Sequence, residues 1–224
     1  MKTKTLISQL IVAVLPVIYL LSIWNTLPDR VPLHYNSALV ADRYGSKVQM
    51  AGVLLFMAVI TILSSALVLN INRIDPKQRN RPLSSSNFRI SWALTIFMTL
   101  ISAWIVYFTS HYPNKGNSNF SLKHLVALVA LLFVAMGNYM NNIKPNFFFG
   151  IRTPWTLSDD DNWRKTHHLG SRVWFYGGCI MFALALALPA TDANYIMIAG
   201  TLVLAIIPII YSYKLFLDKQ KDPH

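Results

Sequence analysis

A chain of 224 residues in which 54% are hydrophobic and only 13% charged departs from the roughly 45–50% and 25% of ordinary soluble proteins. Its formal charge of +11 suits either nucleic acid or an anionic membrane surface. The Lys and Arg residues form no arginine-rich arm and sit beside long apolar stretches, which argues for the membrane and against direct nucleic-acid binding. The single Cys179 excludes an intramolecular disulfide.

A hydrocarbon core of about 30 Å needs about 20 apolar residues in helical form. Six stretches free of Asp, Glu, Lys and Arg meet that length: 5–27, 48–72, 90–114, 124–143, 173–191 and 193–213. The first follows Lys2 and Lys4 as a signal peptide would. Trp24, Asn25, Thr26, Leu27 and Pro28 come next in place of a small-residue cleavage site, so an uncleaved first helix is expected. Pro16 within it, and Pro208 in the sixth stretch, are expected to kink their helices. In the loop after it, Pro28 and Pro32 hold the chain extended, Gly45 is placed to turn it, and Ser46 with Gln49 has the form of a capping box opening the second helix. The chemistry candidates of this loop are His34, Asn36 and Asp42. Three readings stay open for them: hydrogen bonds that stiffen the loop, recognition of an external ligand, or a metal site completed by His111 or His124. The spacing matches no established ligand motif, and no metal or cofactor is expected.

Ser64, Ser65 and Ala66 in the second stretch, and Gly177, Gly178, Ala183, Ala185 and Ala187 in the fifth, offer small faces for close helix packing. Asp192 alone separates the last two stretches. Pro189, Thr191, Asp192 and Asn194 around it predict a tight turn, hence a hairpin of two spans. With the N-terminus in the cytoplasm, 15 of the 20 Lys and Arg residues fall on the inner side. The fold expected is therefore all-α and polytopic, with six transmembrane helices, both termini inside, and a short interfacial helix in the long inner loop. Residues 1–70 form the first two spans with the outer loop, 71–121 a linker and the third span, and 122–224 the remaining spans, all in one membrane-embedded unit.

The inner loop from Asn138 to Arg172 is the most patterned part of the chain. Ser158 is expected as the N-cap of a helix with three Asp in its first turn, and Asp160–Arg164 and Asp161–Lys165 as pairs four residues apart. Trp163, His167, Gly170 and Trp174 recur every three or four residues as one stripe. Trp155 and Trp163 are expected as interfacial anchors of a helix running into the fifth span. Alternatively, Arg152, Asp159 and His167 converge on a ligand, with Arg152 gripping a carboxylate or phosphate and His167 acting as an acid or base. No nucleophile motif accompanies them, so an enzyme is not expected.

The string Gly150-Ile151-Arg152-Thr153-Pro154-Trp155-Thr156-Leu157, with Asn138, Pro145-Asn146, Trp163 and Thr166-His167, resembles the SdpI family of bacterial membrane proteins. Leu27-Pro28, Pro32, His34, Asn36, Asp42 and Lys47 are similar to a domain of unknown function that often precedes that region. Leu39 stands where the pattern carries Gly, and His168 where it often carries Arg. The resemblance implies a multi-pass protein of the bacterial cytoplasmic membrane that protects it from a secreted peptide toxin and relays the toxin's presence to a small transcriptional repressor. Uncommon polar and aromatic residues crowd two loops while the spans stay bland, so recognition is expected at His34, Asn36 and Asp42 outside and at Asn146, Arg152, Trp155, Thr156, Trp163 and His167 inside. The rival reading from the residues is a transporter or channel for a neutral or lipid-like solute, with Thr61, Ser64, Asn70 and Thr95 as its sparse polar path. A membrane-embedded enzyme is the third.

Overall fold

The computed structural model describes residues 2–35, 41–79, 81–111 and 119–221. In chain order the elements are α1 (Lys2–Ser22), β1 (Arg30–Tyr35), β2 (Ala41–Ser46), α2 (Lys47–Leu69), α3 (Ile71–Ile74), α4 (Ser85–His111), α5 (Asn119–Met140), α6 (Pro154–Ser158), α7 (Asp160–Ala187), a 3-10 turn (Ala190–Asp192) and α8 (Ala193–Lys221). Six of the helices, α1, α2, α4, α5, α7 and α8, are long and apolar enough to cross a membrane. The chain is an α-helical polytopic membrane protein. Helices are the form such stretches must take, because a backbone deprived of water has to close its own hydrogen bonds. Side chains such as Ile11, Phe56 and Ile210 point outward with well over half of their surface exposed, as lipid-facing residues do.

The spans fall into two groups of three. Helices α1, α2 and α4 pack on one another, as do α5, α7 and α8, and the groups meet along α4 and α5. In the first group the contacts are polar at depth. Gln9 donates to Ser91 at 3.0 Å, and the hydroxyls of Ser65 and Thr95 are 3.1 Å apart, all of them buried. In the second group the contact is close. A methyl group on Gly137 would meet the Phe175 backbone nitrogen at 2.5 Å, and one on Gly178 would meet the Ala130 carbonyl at 2.9 Å. Glycine at these points lets the α5 and α7 backbones touch, and dispersion contact is what holds helices together where there is no water to expel. Pro16 and Pro208 lie buried inside uninterrupted α1 and α8.

The structure corrects several sequence expectations. The start of the first outer loop is extended as expected, but it pairs with Ala41–Ser46 in an antiparallel β-ladder, and Gly45 pairs with Val31 inside that ladder instead of turning the chain. Proline is compatible with such a two-stranded edge, where one side of each strand has no partner to donate to. The capping box of Ser46 and Gln49 is present. The helix cap in the inner loop is Asp159, not Ser158, which ends α6. Asp161 takes both Arg164 at 2.6 Å and Lys165 at 2.7 Å, while Asp160 turns to Lys77 at 3.6 Å. The helix expected to follow the cap and run into the fifth span is α7, which continues without a break, and the five-residue α6 before it was not expected.

Candidate functional site

The hydrogen bonds show which loops share an end of the bundle. At the Lys/Arg-rich end, the Lys2 ammonium donates to Asn72, the Lys77 ammonium to the Leu157 carbonyl and the Lys219 ammonium to Asp159. The N-terminus, the segment after α2, the long loop after α5 and the C-terminal helix therefore meet there. At the opposite end stands the hairpin, with Lys47 donating to the Trp24 and Leu27 carbonyls at 3.2 and 3.3 Å.

The inner loop is a lock built largely of buried polar groups. Asn146 accepts the Phe148 and Phe149 N–H groups on its side-chain oxygen and donates to the Lys144 and Phe149 carbonyls, all within 3.0 Å, so its amide closes the 144–149 segment upon itself. Gly150 then has φ +107°, a left-handed value at which other residues are strained, and a methyl group there would stand 2.5 Å from His167 Nε2. His167 is buried; its Nε2 accepts the Ile151 N–H at 3.0 Å, and its Nδ1 lies 2.8 Å from the Trp163 carbonyl. Those two bonds define a neutral imidazole with the proton on Nδ1. Its ring stacks on Trp163 at 4.1 Å, and the Trp163 indole donates to the Ile143 carbonyl at 2.9 Å. Thr153 opens α6, with Thr156 in the role a Glu or Gln usually plays in a capping box, its hydroxyl accepting the Thr153 N–H at 2.8 Å.

Sequence reading missed the residues that fasten this lock to the rest of the chain. Asp75, almost fully buried, accepts the Lys77 and Phe147 N–H groups, and Gln78 donates to the Pro145 carbonyl at 2.7 Å. These tie the loop to the first helix group. Ser212 accepts from the Trp155 indole at 2.6 Å, and its carbonyl accepts from Asn162 at 2.9 Å, tying the loop to α8. The local signal for Asp75 was present, because Asp-Pro-Lys after a helix has the form of an Asx turn, but nothing in the sequence names its partner Phe147. Val68, Ile90, Met140, Ile143, Ile151 and Trp163 pack as one apolar cluster beneath, so the loop plugs the junction between the two groups.

Four of the inner candidates, Asn146, Thr156, Trp163 and His167, are therefore buried parts of the lock. Trp163 is not an interfacial anchor. Trp155 is half-buried against Tyr213 and Phe216 of α8, and Arg152 is exposed, with one guanidinium nitrogen on the Phe147 carbonyl. Arg152, Asp159 and His167 each have a different protein partner: the Phe147 carbonyl, the Lys219 ammonium, and the Ile151 and Trp163 backbone. Asp159 caps α7 and pairs with Lys219 at 2.8 Å, an ammonium that, with the Asp161 and Asn162 N–H groups, holds its carboxyl below the ordinary range against some desolvation. A cavity of about 200 Å³ opens beside Asn146 and Phe149, bordered by Arg81 and Lys144.

At the outer end, His34 Nδ1 and Asp42 Oδ1 are 2.6 Å apart across the hairpin, on exposed side chains, and this hydrogen bond is the main cause of a lowered Asp42 carboxyl pKa. Asn36 and Leu39 lie outside the described residues. Val31 is fully buried in a cluster with Leu20, Leu27, Met50, Leu54 and Val106, which pins the hairpin base to α1, α2 and α4. Among the described residues no three His, Cys, Asp or Glu side chains gather as a metal site would require.

No curated protein and no solved structure matches the chain. Two family matches are found: residues 11–62 match the domain of unknown function DUF1648, and residues 142–212 match the SdpI/YfhL protein family. The second of these matches includes the Asn146 turn, the His167 lock and Ser212 at the Lys/Arg-rich end of the bundle, together with α7 and most of α8. Residues 142–212 are thus similar to the SdpI/YfhL protein family, and a region similar to DUF1648 lies ahead of them.

Proposed function

We propose that this protein is an immunity-type component of a bacterial cytoplasmic membrane. It meets a membrane-active peptide toxin at the outer hairpin, protects the bilayer, and relays the toxin's presence through the inner lock to a small cytoplasmic repressor. The observation that carries the proposal is the attachment of the lock to both helix groups at once, through Asp75 and Gln78 on one side and Ser212 on the other. A shift of one group against the other, driven by a ligand at the outer end, would be felt at that junction, which is what a relay needs. The exposed His34–Asp42 pair and Arg152 offer polar groups to partners outside and inside. A non-enzymatic reading is supported by His167 and Thr156, whose polar atoms are spent on the backbone.

Expression in a toxin-sensitive bacterium tests it. Survival should rise with the wild-type chain and fall back when Asp42 is replaced, with membrane levels equal by immunoblot. Unchanged survival with the wild-type protein confirmed in the membrane would refute the proposal.

Transport of a neutral or lipid-like solute is the second reading, favoured by the buried Gln9, Ser65, Ser91 and Thr95 between the first three spans and by the Gln9 side-chain oxygen, which has no hydrogen-bond partner among the described residues. Solute flux in proteoliposomes, absent from empty vesicles, would favour it over immunity.

A further inference from the structure

The seam where the two helix groups meet is incompletely filled. Between α4 and α5 lies a groove of about 460 Å³, lined by Trp92, Ile96 and Leu100 on one side and Leu128, Leu131 and Ala135 on the other. Ile96, Leu100 and Leu131 leave nearly half of their surface uncovered, so the groove opens where acyl chains lie. Its lining is apolar except at one end, where Arg89 and Tyr139 form the mouth. The Arg89 guanidinium sits 5.6 Å from the centre of the Tyr139 ring and donates to the Ser85 hydroxyl at 3.0 Å. Among the described residues no carboxylate pairs with it.

The dimensions select the occupant. From Arg89 to Leu100 on α4, and from Tyr139 to Leu128 on α5, the helices rise about 17 Å at 1.5 Å per residue, which is about half of a hydrocarbon core. The groove thus runs from headgroup level at the Lys/Arg-rich face to about the bilayer midplane, the reach of one acyl chain in one leaflet. A cation without a protein counter-ion, set at that level and oriented by an aromatic ring, matches a phosphate diester.

We infer that the α4–α5 groove is a binding site for one anionic phospholipid of that leaflet, with an acyl chain between the helices and its phosphate on Arg89. The lipid completes the seam between the two groups. Its binding needs neither toxin nor repressor.

The test uses the full chain purified in mild detergent and offered phosphatidylglycerol or phosphatidylcholine with identical acyl chains, with bound lipid counted by native mass spectrometry. Phosphatidylglycerol should be retained about tenfold better, as a charge-assisted contact implies. Arg89→Gln should abolish that preference, whereas Arg164→Gln, which removes a cation already paired with Asp161, should keep it. Ala135→Phe should reduce retention of both lipids. As a second measurement, phosphatidylglycerol brominated in mid-chain should quench the wild-type protein's fluorescence more than it quenches a Trp92→Phe protein, which keeps an aromatic side chain at that place in the groove. Equal retention of the two lipids by the wild type, or a preference that survives Arg89→Gln, would overturn the inference. So would a dimer that dissociates on Ala135→Phe while lipid retention stays the same, because a second copy of the chain would then be the occupant.

Discussion

The two ends of this protein begin from similar material and reach opposite results. Each has a proline-marked segment between spans that carries a His, an Asp and several polar neighbours. At the inner end these groups turn inward, and His167, Asn146, Thr156 and Asp75 are buried with hydrogen bonds to backbone up to 72 residues away. At the outer end His34 and Asp42 face solvent and hold one another across a short hairpin. The difference teaches that burial, not residue type, decides what a polar group does. Buried, it is committed to one geometry because an unmet partner is costly. Exposed, it can exchange that partner for a ligand.

The sharpest way to break the comparison is Gly150→Val. The positive φ and the 2.5 Å approach to His167 Nε2 leave no room for a side chain, so a loss of about 3 kcal/mol or more is expected. It should appear as the largest drop in thermal midpoint by fluorescence-detected gel filtration, and an unchanged midpoint would show that the lock carries no stability. Gly137→Leu should follow, at about 1–3 kcal/mol, because the atoms it meets are α7 backbone and cannot rotate away. Cysteine cross-links between α5 and α7 should then form more slowly.

His167→Leu keeps the volume but leaves the buried Ile151 N–H without an acceptor, for about 1–3 kcal/mol. Amide exchange at Ile151 should accelerate while the hairpin stays unchanged. If exchange at both ends rose together, the two regions would not be separable as drawn. A smaller effect attends acid. The Asp159 carboxyl is held below its ordinary range in the folded state, so its contribution is complete above the unfolded value and disappears as pH falls through the lowered one. Protection from exchange in the first turn of α7 should fall in that acid window, and Asp159→Asn should remove the Asp159 share of the pH dependence, leaving that of Asp161, which Lys165 and Arg164 also hold low. Least of all, His34→Ala should leave the thermal midpoint within error and quicken exchange only in the hairpin ladder, since the pair is exposed.

Much of the architecture was legible because it depends on local quantities. Length and apolarity set the six spans, the Pro189–Asn194 turn separated the last two, and Ser46 with Gln49 announced the start of α2. The string from Gly150 to Leu157 was specific enough to name the family region. What stayed illegible depends on contacts across the chain. The segment 30–46 lacks the strict alternation of a buried strand pair, so its ladder was hidden. The aromatic stripe of α7 was visible, yet whether Trp163 faced lipid headgroups or a core depended on Ile143 and Ile151 arriving from the preceding loop. Asp161 outcompeted Asp160 for Arg164 because Lys77, more than 80 residues earlier, drew Asp160 aside. The sequence by itself determined which segments enter the membrane, since desolvating a peptide backbone forces each apolar stretch to satisfy its own hydrogen bonds. Only the tertiary structure decided which polar side chains are locked and which are free to bind, because that depends on the neighbours that close over them.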